Sequence, residues 1–199
     1  MGVRKGEAQA LNWKDFLWDK DQVRIIKTLT TKTDEVNEDG LKYKITNAKN
    51  RMNRTIKMPF ALKKIMIELY SYYNEFEEFN KNWFVFGGNR FLPSTTIDNK
   101  KDLYFTLANE TYEKEINRIS NHEFRHSHAS YLISKGVRIE LIAKRLGDTV
   151  EVVEKVYAHL FPEVENEVID VLDLIGDVYE IDTDLQNCIK KRISKTTKP

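Results

Sequence analysis

The spacing of apolar residues changes partway along this chain and restricts the class of fold it can adopt. Residues 23–28, 41–46 and 54–59 either alternate apolar with polar side chains or are rich in β-branched and aromatic residues, as strands are. After Pro59 the apolar side chains recur mainly at helical intervals, apart from a short extended segment at residues 83–88. We therefore predict an α+β fold that is mainly α-helical, with a small three-stranded antiparallel sheet packed on a helical core.

Breaks and capping residues divide the helical part of the chain. Breaks are predicted at residues 110–120, at Gly136 and at Gly147. Ser120 is followed three residues later by Glu123, which is the spacing of a capping box, so a helix should begin there. Two short helices should follow, with the apolar stripes Ile139, Ile142, Ala143, Leu146 and Val150, Val153, Val156, Tyr157, Leu160.

Length and composition indicate one globular unit. The chain has 199 residues, enough for one domain, which we place at residues 1–176, with a polar tail at residues 177–199. Cys188 is the only cysteine, and no apolar run approaches the roughly 20 residues of a membrane span, so we expect a cytoplasmic protein. The net charge is only +1, so a nucleic-acid binder of this composition would need local basic patches.

The segment HEFRHSH at residues 122–128 can be interpreted in two ways, of which the first is a zinc site. His122, Glu123 and His126 match the HExxH pattern, in which two histidines one turn apart bind Zn²⁺ and the glutamate activates water. A catalytic zinc needs a third protein ligand, and although Glu140 and His159 lie downstream, neither belongs to a recognisable extended motif. Five residues without that context are a weak pattern.

The second interpretation is a phosphate site. His122 and Arg125 are three residues apart, so they are neighbours on one helix face near the positive end of the predicted helix. That arrangement suits an oxyanion. An arginine and a histidine on one helix are more often surface residues or partners of a nearby carboxylate, so the rest of the chain must decide between these uses.

Three separated segments of the chain resemble the tyrosine recombinases of the phage-integrase type. GVRKGEAQALNWKDF at residues 2–16 is similar to their first arginine box, and HEFRHSHASYLISKGVRIELIAKRLGD at residues 122–148 to their His-x-x-Arg box. VEKVYAHLFPE at residues 153–163 resembles the segment with their nucleophilic tyrosine. The order and spacing agree over residues 2–165, which is stronger than any single motif.

The resemblance implies a site-specific recombinase, the integrase or excisionase of a phage or mobile element. Such an enzyme cleaves and rejoins DNA through a 3′-phosphotyrosine intermediate and needs neither metal nor cofactor. The nucleophile would be Tyr157, and Arg4 and Arg125 would bind the charge that builds on the phosphate oxygens. Arginine suits that role because its planar fork binds phosphate bidentately and stays charged. His122 would bond a non-bridging oxygen and help move the proton of the nucleophile, and Glu7 would support the arginine and lysine of the site.

A lysine between the second and third strands supplies the proton of the leaving 5′ oxygen in this family. Lys49 is the candidate here. The segment NAKNRMNRTIKMP is about one residue shorter than the usual family loop, so Lys44 and Arg51 are alternatives. A solvated hairpin lysine is the other interpretation of Lys49.

Asp148 departs from the family pattern. The family usually has a histidine or tryptophan after the LG of the helix-pair turn, which donates a hydrogen bond to the phosphate, and an ionised aspartate cannot donate. Asp148 could be protonated, act through water, or turn away to cap the helix that begins near Val150, and we predict the cap. The lost donor should weaken transition-state stabilisation by about 1–3 kcal/mol. His126 and His159 are candidates to compensate.

The resemblance also implies partners. These are double-stranded DNA at attachment sites and other copies of the chain, as a homotetramer on paired sites that is monomeric or weakly associated without DNA. Accessory DNA-bending proteins belong to the same expectation. The amphipathic segment 163–175 resembles the C-terminal helix that recombinases pass to a neighbouring protomer, and packing on its own domain remains an alternative, because both arrangements bury the same stripe.

The chain begins at the first arginine box, whereas family members carry an N-terminal core-binding domain before it. We therefore expect that domain to be absent and DNA binding by this chain to be weak, because affinity falls with the number of phosphates contacted. Three hypotheses follow: an active DNA strand transferase, a DNA-binding remnant with weak or no catalysis, and the zinc hydrolase. A chromosomal resolvase uses the same sequence boxes as the first.

Overall fold

Two small antiparallel sheets lie in the first third of the chain. The structure, a computed structural model, describes residues 1–37, 40–47, 53–112 and 115–158, all within the unit Met1–Leu160. Within those residues the strands are β1 (Phe16–Leu17), β2 (Gln22–Ile25), β3 (Lys27–Thr30), β4 (Lys44–Asn47) and β5 (Arg54–Lys57). The predicted helix at residues 163–175 and the tail at residues 177–199 lie outside the described residues.

The predicted first strand is divided at Ile26 and pairs with two different partners. β2 lies between β1 and β5, and its Val23 is opposite Ile56. β3 instead pairs with β4, where Leu29 is opposite Ile45. The small antiparallel sheet of the sequence prediction is confirmed, but the three predicted strands form parts of two sheets, because the pairing of β2 with β5 ends where Ile25 meets Arg54.

Helices make up most of the remaining described chain. The predicted helix after Pro59 is confirmed, and the helix boundaries predicted by Ser120, Gly136 and Gly147 agree with the structure. Arg4 is the N-cap residue of the first helix. The helices are α1 (Lys5–Gln9), α2 (Phe60–Asn74), α3 (Ser94–Tyr112), α4 (Asn121–Ser134), α5 (Ile139–Leu146) and α6 (Val150–Tyr157). None of the helices in the described ranges is both long enough and apolar enough to span a bilayer.

The main core lies between the first sheet and α2. Trp13, Val23 and Ile56 are buried there, together with Met66 from α2. Val85, in the segment predicted to be extended, is fully buried and donates a backbone hydrogen bond to the Leu11 carbonyl at 2.9 Å. This core anchors the chain that follows Arg4, and it therefore fixes one side of the site described below.

The N-terminus of α4 has the capping box that the sequence predicts. The Ser120 hydroxyl accepts a hydrogen bond from the Glu123 amide at 3.2 Å, and the Glu123 carboxylate accepts one from the Ser120 amide. These bonds satisfy two backbone donors that a helix start otherwise leaves to solvent. The cap thereby defines where α4 begins and so which face carries Arg125.

We expect Ser120→Ala to lower the free energy of unfolding by about 0.5–2 kcal/mol, because the cap loses its acceptor. Urea denaturation followed by circular dichroism measures the change. Ser134→Ala is the matched control, since Ser134 is exposed at the other end of the same helix. Equal losses in the two variants would show that the capping box does not stabilise α4.

Candidate active site

Two arginines from distant parts of the chain meet on one carboxylate. Arg125 on α4 donates from Nη2 to Asp148 Oδ2 at 2.6 Å, and Arg4 donates from Nη2 to the other oxygen, Oδ1. Gly147 ends α5 in the left-handed conformation, with φ of 70°, and this turn directs the chain at Asp148 toward the arginines. The structure thus brings together three of the residues that the resemblance selects.

The prediction that Asp148 caps the next helix is wrong. Thr149 is the N-cap of α6, and its hydroxyl accepts a hydrogen bond from the Val152 amide at 3.3 Å. Because the threonine hydroxyl already satisfies that amide, the cap does not need the carboxylate. The ion pairs with Arg4 and Arg125 are available only to the carboxylate, which explains why it turns toward them.

Arg125 is held in a buried position by backbone carbonyls as well as by Asp148. It is 5% exposed, and it donates to the carbonyl oxygens of Gly2 at 2.5 Å and Leu146 at 2.8 Å. Burial lowers the pKa of Arg125 from its ordinary value, and the hydrogen bond that Arg125 donates to Asp148 opposes that change. The guanidinium is therefore fixed in orientation before any anion binds.

Glu7 binds Arg4 and also a second arginine, Arg54, which the sequence analysis missed. Arg54 of β5 forms a bidentate pair with Glu7, with Nη1 to Oε1 at 3.0 Å and Nη2 to Oε2 at 2.7 Å. Glu7 also accepts hydrogen bonds from the Arg4 amide at 2.8 Å and from Arg4 Nη1 at 3.2 Å. Burial alone would raise the pKa of Glu7, but the bonds from Arg54 and Arg4 outweigh it and hold the pKa below its ordinary value.

A signal for Arg54 is present in the sequence. In RTIK the alternation of β5 places Arg54 on the same face as buried Ile56, and both are buried in the structure. A charged side chain on the inner face of a strand needs a buried partner of opposite charge. Pairing Arg54 with Glu7 could therefore have been proposed, although neither residue identifies the other by spacing.

We expect Glu7→Gln to lower the free energy of unfolding by about 3–5 kcal/mol, because it leaves the buried Arg54 without its counter-charge. Urea denaturation at neutral pH measures the loss, with exposed Glu78→Gln as the matched control. The pKa of Glu7 is below its ordinary 4.5, so its stabilising effect is complete above pH 4.5 and is lost as the pH falls through the lowered value. A loss no larger than that of Glu78→Gln would contradict the role given to the pair.

Tyr157 is joined to α4 by a hydrogen bond to a histidine. Its Oη lies 2.7 Å from Nδ1 of His126, and the tyrosine is 6% exposed. Burial raises the pKa of Tyr157, partly offset by the positive charge of Arg125. Burial lowers the pKa of His126, and the charges of His122 and Arg125 lower it further. The pair thus favours a neutral imidazole beside a neutral phenol.

His122 is exposed in the first turn of α4, and its ring contacts that of His126 edge-on at a centroid distance of 4.3 Å. From the sequence, His126 was a candidate zinc ligand and a candidate to compensate for Asp148. In the structure it is His126, and not His122, that is bonded to the tyrosine hydroxyl. One helical turn separates the two histidines, so they share a face of α4.

The proposed lysine lies outside the described residues. Lys49 and its alternative Arg51 both fall in the range 48–52, and His159 also lies outside the described residues. The other alternative, Lys44, is described, and its Nζ pairs with Glu35 at 2.5 Å on an exposed part of β4. The assignment of a general acid therefore stays a prediction.

A recess of about 510 Å³ lies on the Asp148 side of the arginine pair. Asp148 and Arg54 line it together with Arg24 and the exposed side chain of Lys144. Positive side chains outnumber negative ones on this surface, although the chain as a whole is nearly neutral. The recess is thus a local basic patch of the kind that a nucleic-acid binder of this composition requires.

The HExxH pattern has a structural use in this chain. The Glu123 carboxylate is engaged by the Ser120 amide in the capping box, and His126 Nδ1 by Tyr157. Across residues 1–37, 40–47, 53–112 and 115–158, no group of three or more His, Cys, Asp or Glu side chains could hold a metal ion. Glu123 therefore serves the helix start, and Glu140 does not complete a ligand set with the two histidines.

The fold is that of the tyrosine recombinases. The structure matches the Tn1549 transposon integrase solved with transposon right end DNA, at a TM-score of 0.67 and 16% identity, over 87% of this chain and 55% of that chain. It also matches XerA recombinase, at a TM-score of 0.56 and 19% identity, over 84% of this chain and 52% of that one.

The sequence comparisons identify the family. The model of the Phage integrase family matches residues 1–163, and the chain belongs to this family. Similar relatives include a XerC-like tyrosine recombinase of Caldanaerobacter subterraneus, 25% identical over 86% of this chain and 46% of the relative, and the ICEBs1 integrase of Bacillus subtilis, 28% identical over 86% and 45%. The chain spans about half the length of the curated relatives it matches.

Proposed function

We propose that this protein is a site-specific DNA recombinase, the integrase or excisionase of a phage or mobile element, which forms a 3′-phosphotyrosine intermediate without metal. The observation that carries the proposal is the hydrogen bond between Tyr157 and His126. His126 lies on the same helix as Arg125, which binds Asp148 together with Arg4. A polarised phenol and a pair of fixed cations are the groups that metal-free attack on a phosphodiester needs.

In the proposed reaction, Tyr157 Oη attacks the phosphorus of one DNA strand. A bond from phosphorus to Oη forms, the bond to the 5′ oxygen breaks, and the strand keeps its phosphate as a 3′-phosphotyrosine. Arg4 and Arg125 bind the non-bridging oxygens, on which negative charge increases in the transition state. One phosphate ester replaces another, so a free 5′ hydroxyl of a second strand can reverse the step and rejoin the DNA.

Two proton transfers accompany this exchange. With Nδ1 unprotonated, His126 accepts the Tyr157 proton across the 2.7 Å contact as the oxygen attacks. The lowered pKa of His126 keeps its imidazole neutral and able to accept. Lys49 would protonate the leaving 5′ oxygen, an assignment that rests on the resemblance, and the exposed His122 would contact a non-bridging oxygen.

The proposed partners are double-stranded DNA and further copies of the chain, arranged as a tetramer on paired sites, with accessory DNA-bending proteins. The basic recess beside Asp148 supports the first of these, since Arg24 and Lys144 line it and cationic side chains suit contacts with backbone phosphates. Transposon DNA bound to the Tn1549 integrase is consistent with the same role for this chain. The cytoplasm is the proposed location, because that role requires access to DNA.

Covalent trapping tests the proposal. The protein is incubated in EDTA with a library of nicked duplexes, randomised around the nick, from which the short 5′-hydroxyl fragment escapes after cleavage and prevents rejoining. We expect a protein–DNA adduct that resists denaturing electrophoresis and carries a restricted set of sequences. If no adduct forms at protein and DNA concentrations where a binding shift is seen, the active recombinase is contradicted.

The second candidate is a recombinase remnant that binds DNA with weak or no catalysis. The carboxylate of Asp148 between the two arginines favours it, because part of their charge is already neutralised. This remnant would bind the duplexes without forming the adduct. The trapping experiment therefore separates the two candidates.

A further inference from the structure

Asp148 occupies the place between the arginines where a phosphate would bind. Its two oxygens contact two different guanidinium groups, Arg4 and Arg125, as two non-bridging oxygens of a phosphate would. We infer that Asp148 is an internal anion that competes with phosphate for this arginine pair, so that the pair becomes available only when the carboxylate moves away. The competition depends on the geometry of these side chains and does not require that DNA be cleaved.

The charges around Asp148 support competition. Both carboxylate oxygens of Asp148 form ion pairs with arginines, Oδ1 with Arg4 and Oδ2 with Arg125. A phosphate added beside the ionised Asp148 would meet a carboxylate of its own sign on the same guanidinium groups. Neutralising Asp148 would remove that repulsion.

The site is open enough for an external anion to replace the carboxylate. The Arg4 side chain is 32% exposed and that of Asp148 is 18% exposed, whereas that of Arg125 is 6% exposed. An anion can therefore approach along Arg4 while Arg125 stays fixed. Asp148 also lines the recess of about 510 Å³, where the exposed Lys144 offers another cation to a displaced carboxylate.

Sulfate is a suitable probe, because it is a dianion at pH 8 and has the tetrahedral shape of phosphate. Isothermal titration at pH 8 and constant ionic strength compares the wild type with Asp148→Asn, which preserves size and removes the charge. We expect sulfate to bind Asp148→Asn about tenfold more tightly or better, because the repelling carboxylate is gone. The matched control Glu154→Gln removes the same charge from an exposed position on α6 and should leave the affinity unchanged.

Two further variants keep the test decisive. Asp148→His, neutral at pH 8, should also bind sulfate more tightly than the wild type does. It replaces Asp148→Asn in the test if the asparagine variant does not fold. Adding Arg4→Gln to either variant should remove the gain, because the pair is then incomplete. Sulfate affinity within twofold of the wild type in the folded variants, or a gain that survives Arg4→Gln, would overturn the inference. Neither result depends on adduct formation with DNA, so this inference and the proposed recombinase activity can fail separately.

Discussion

Tyr157→Phe should abolish formation of the covalent protein–DNA adduct while leaving the fold intact. The substitution removes one oxygen atom, which is both the proposed nucleophile and the partner of His126 Nδ1. The buried ring stays in place against His126 of α4, so the loss of stability should be about 1 kcal/mol, the net contribution of one hydrogen bond. The yield of adduct from nicked DNA in EDTA measures the effect.

Tyr131→Phe is the matched control for this experiment. Tyr131 lies on α4, is 61% exposed, and should be dispensable for the reaction. The adduct should form at the wild-type rate in Tyr131→Phe and be undetectable in Tyr157→Phe. An adduct of normal yield in Tyr157→Phe would mean that another residue attacks the phosphate.

His126→Phe should slow adduct formation by about 10²- to 10⁴-fold, the usual contribution of a positioned acid–base group. Phenylalanine keeps a ring against Tyr157 and His122 but has no nitrogen to accept the phenol proton. Single-turnover kinetics on nicked DNA measure the rate. His122→Phe should cost less, because His122 is exposed and contacts the ring of His126 rather than the hydroxyl. A greater loss of rate in His122→Phe than in His126→Phe would indicate that His122 accepts the proton instead.

The pH dependence gives the same assignment a second test. Burial, with the charges of His122 and Arg125, lowers the pKa of His126 from 6.5, so the midpoint of the fall in the wild-type rate at acid pH, where the imidazole becomes protonated, should lie below pH 6.5. Burial raises the pKa of Tyr157 above 10.0. In His126→Phe the rate should therefore climb with pH throughout the neutral and mildly alkaline range. Parallel pH profiles for the two proteins would contradict proton transfer to His126.

Local signals in the sequence predicted much of the fold. Ser120 and Glu123 specified the start of α4, and Gly147 specified the end of α5, because capping depends on residues within one turn of each other. The alternation of residues 23–28 predicted a strand but not its change of partner at Ile26. Pairing partners depend on segments far along the chain, which periodicity does not encode.

The candidate site was predictable only in part, for the same reason. The resemblance selected Arg4, Arg125 and Asp148, and the structure brings them together. It did not predict that Asp148 would bind both arginines. Two interactions compete for the carboxylate: capping of the next helix, which is local, and the contact with Arg4, which is 144 residues away in the sequence. Only the assembled fold determines which of the two forms. The bonds of Glu7 to Arg54 and of Tyr157 to His126 likewise join residues that no motif spacing connects.

Identification of the amino acid attached to DNA is the most direct test of the central claim. The adduct formed in EDTA is purified, digested with nuclease and protease, and the nucleotide-bearing peptide is sequenced by mass spectrometry. The account predicts a nucleotide joined through its 3′ phosphate to Tyr157. A nucleotide on any other residue, or one attached through a 5′ phosphate, would contradict it.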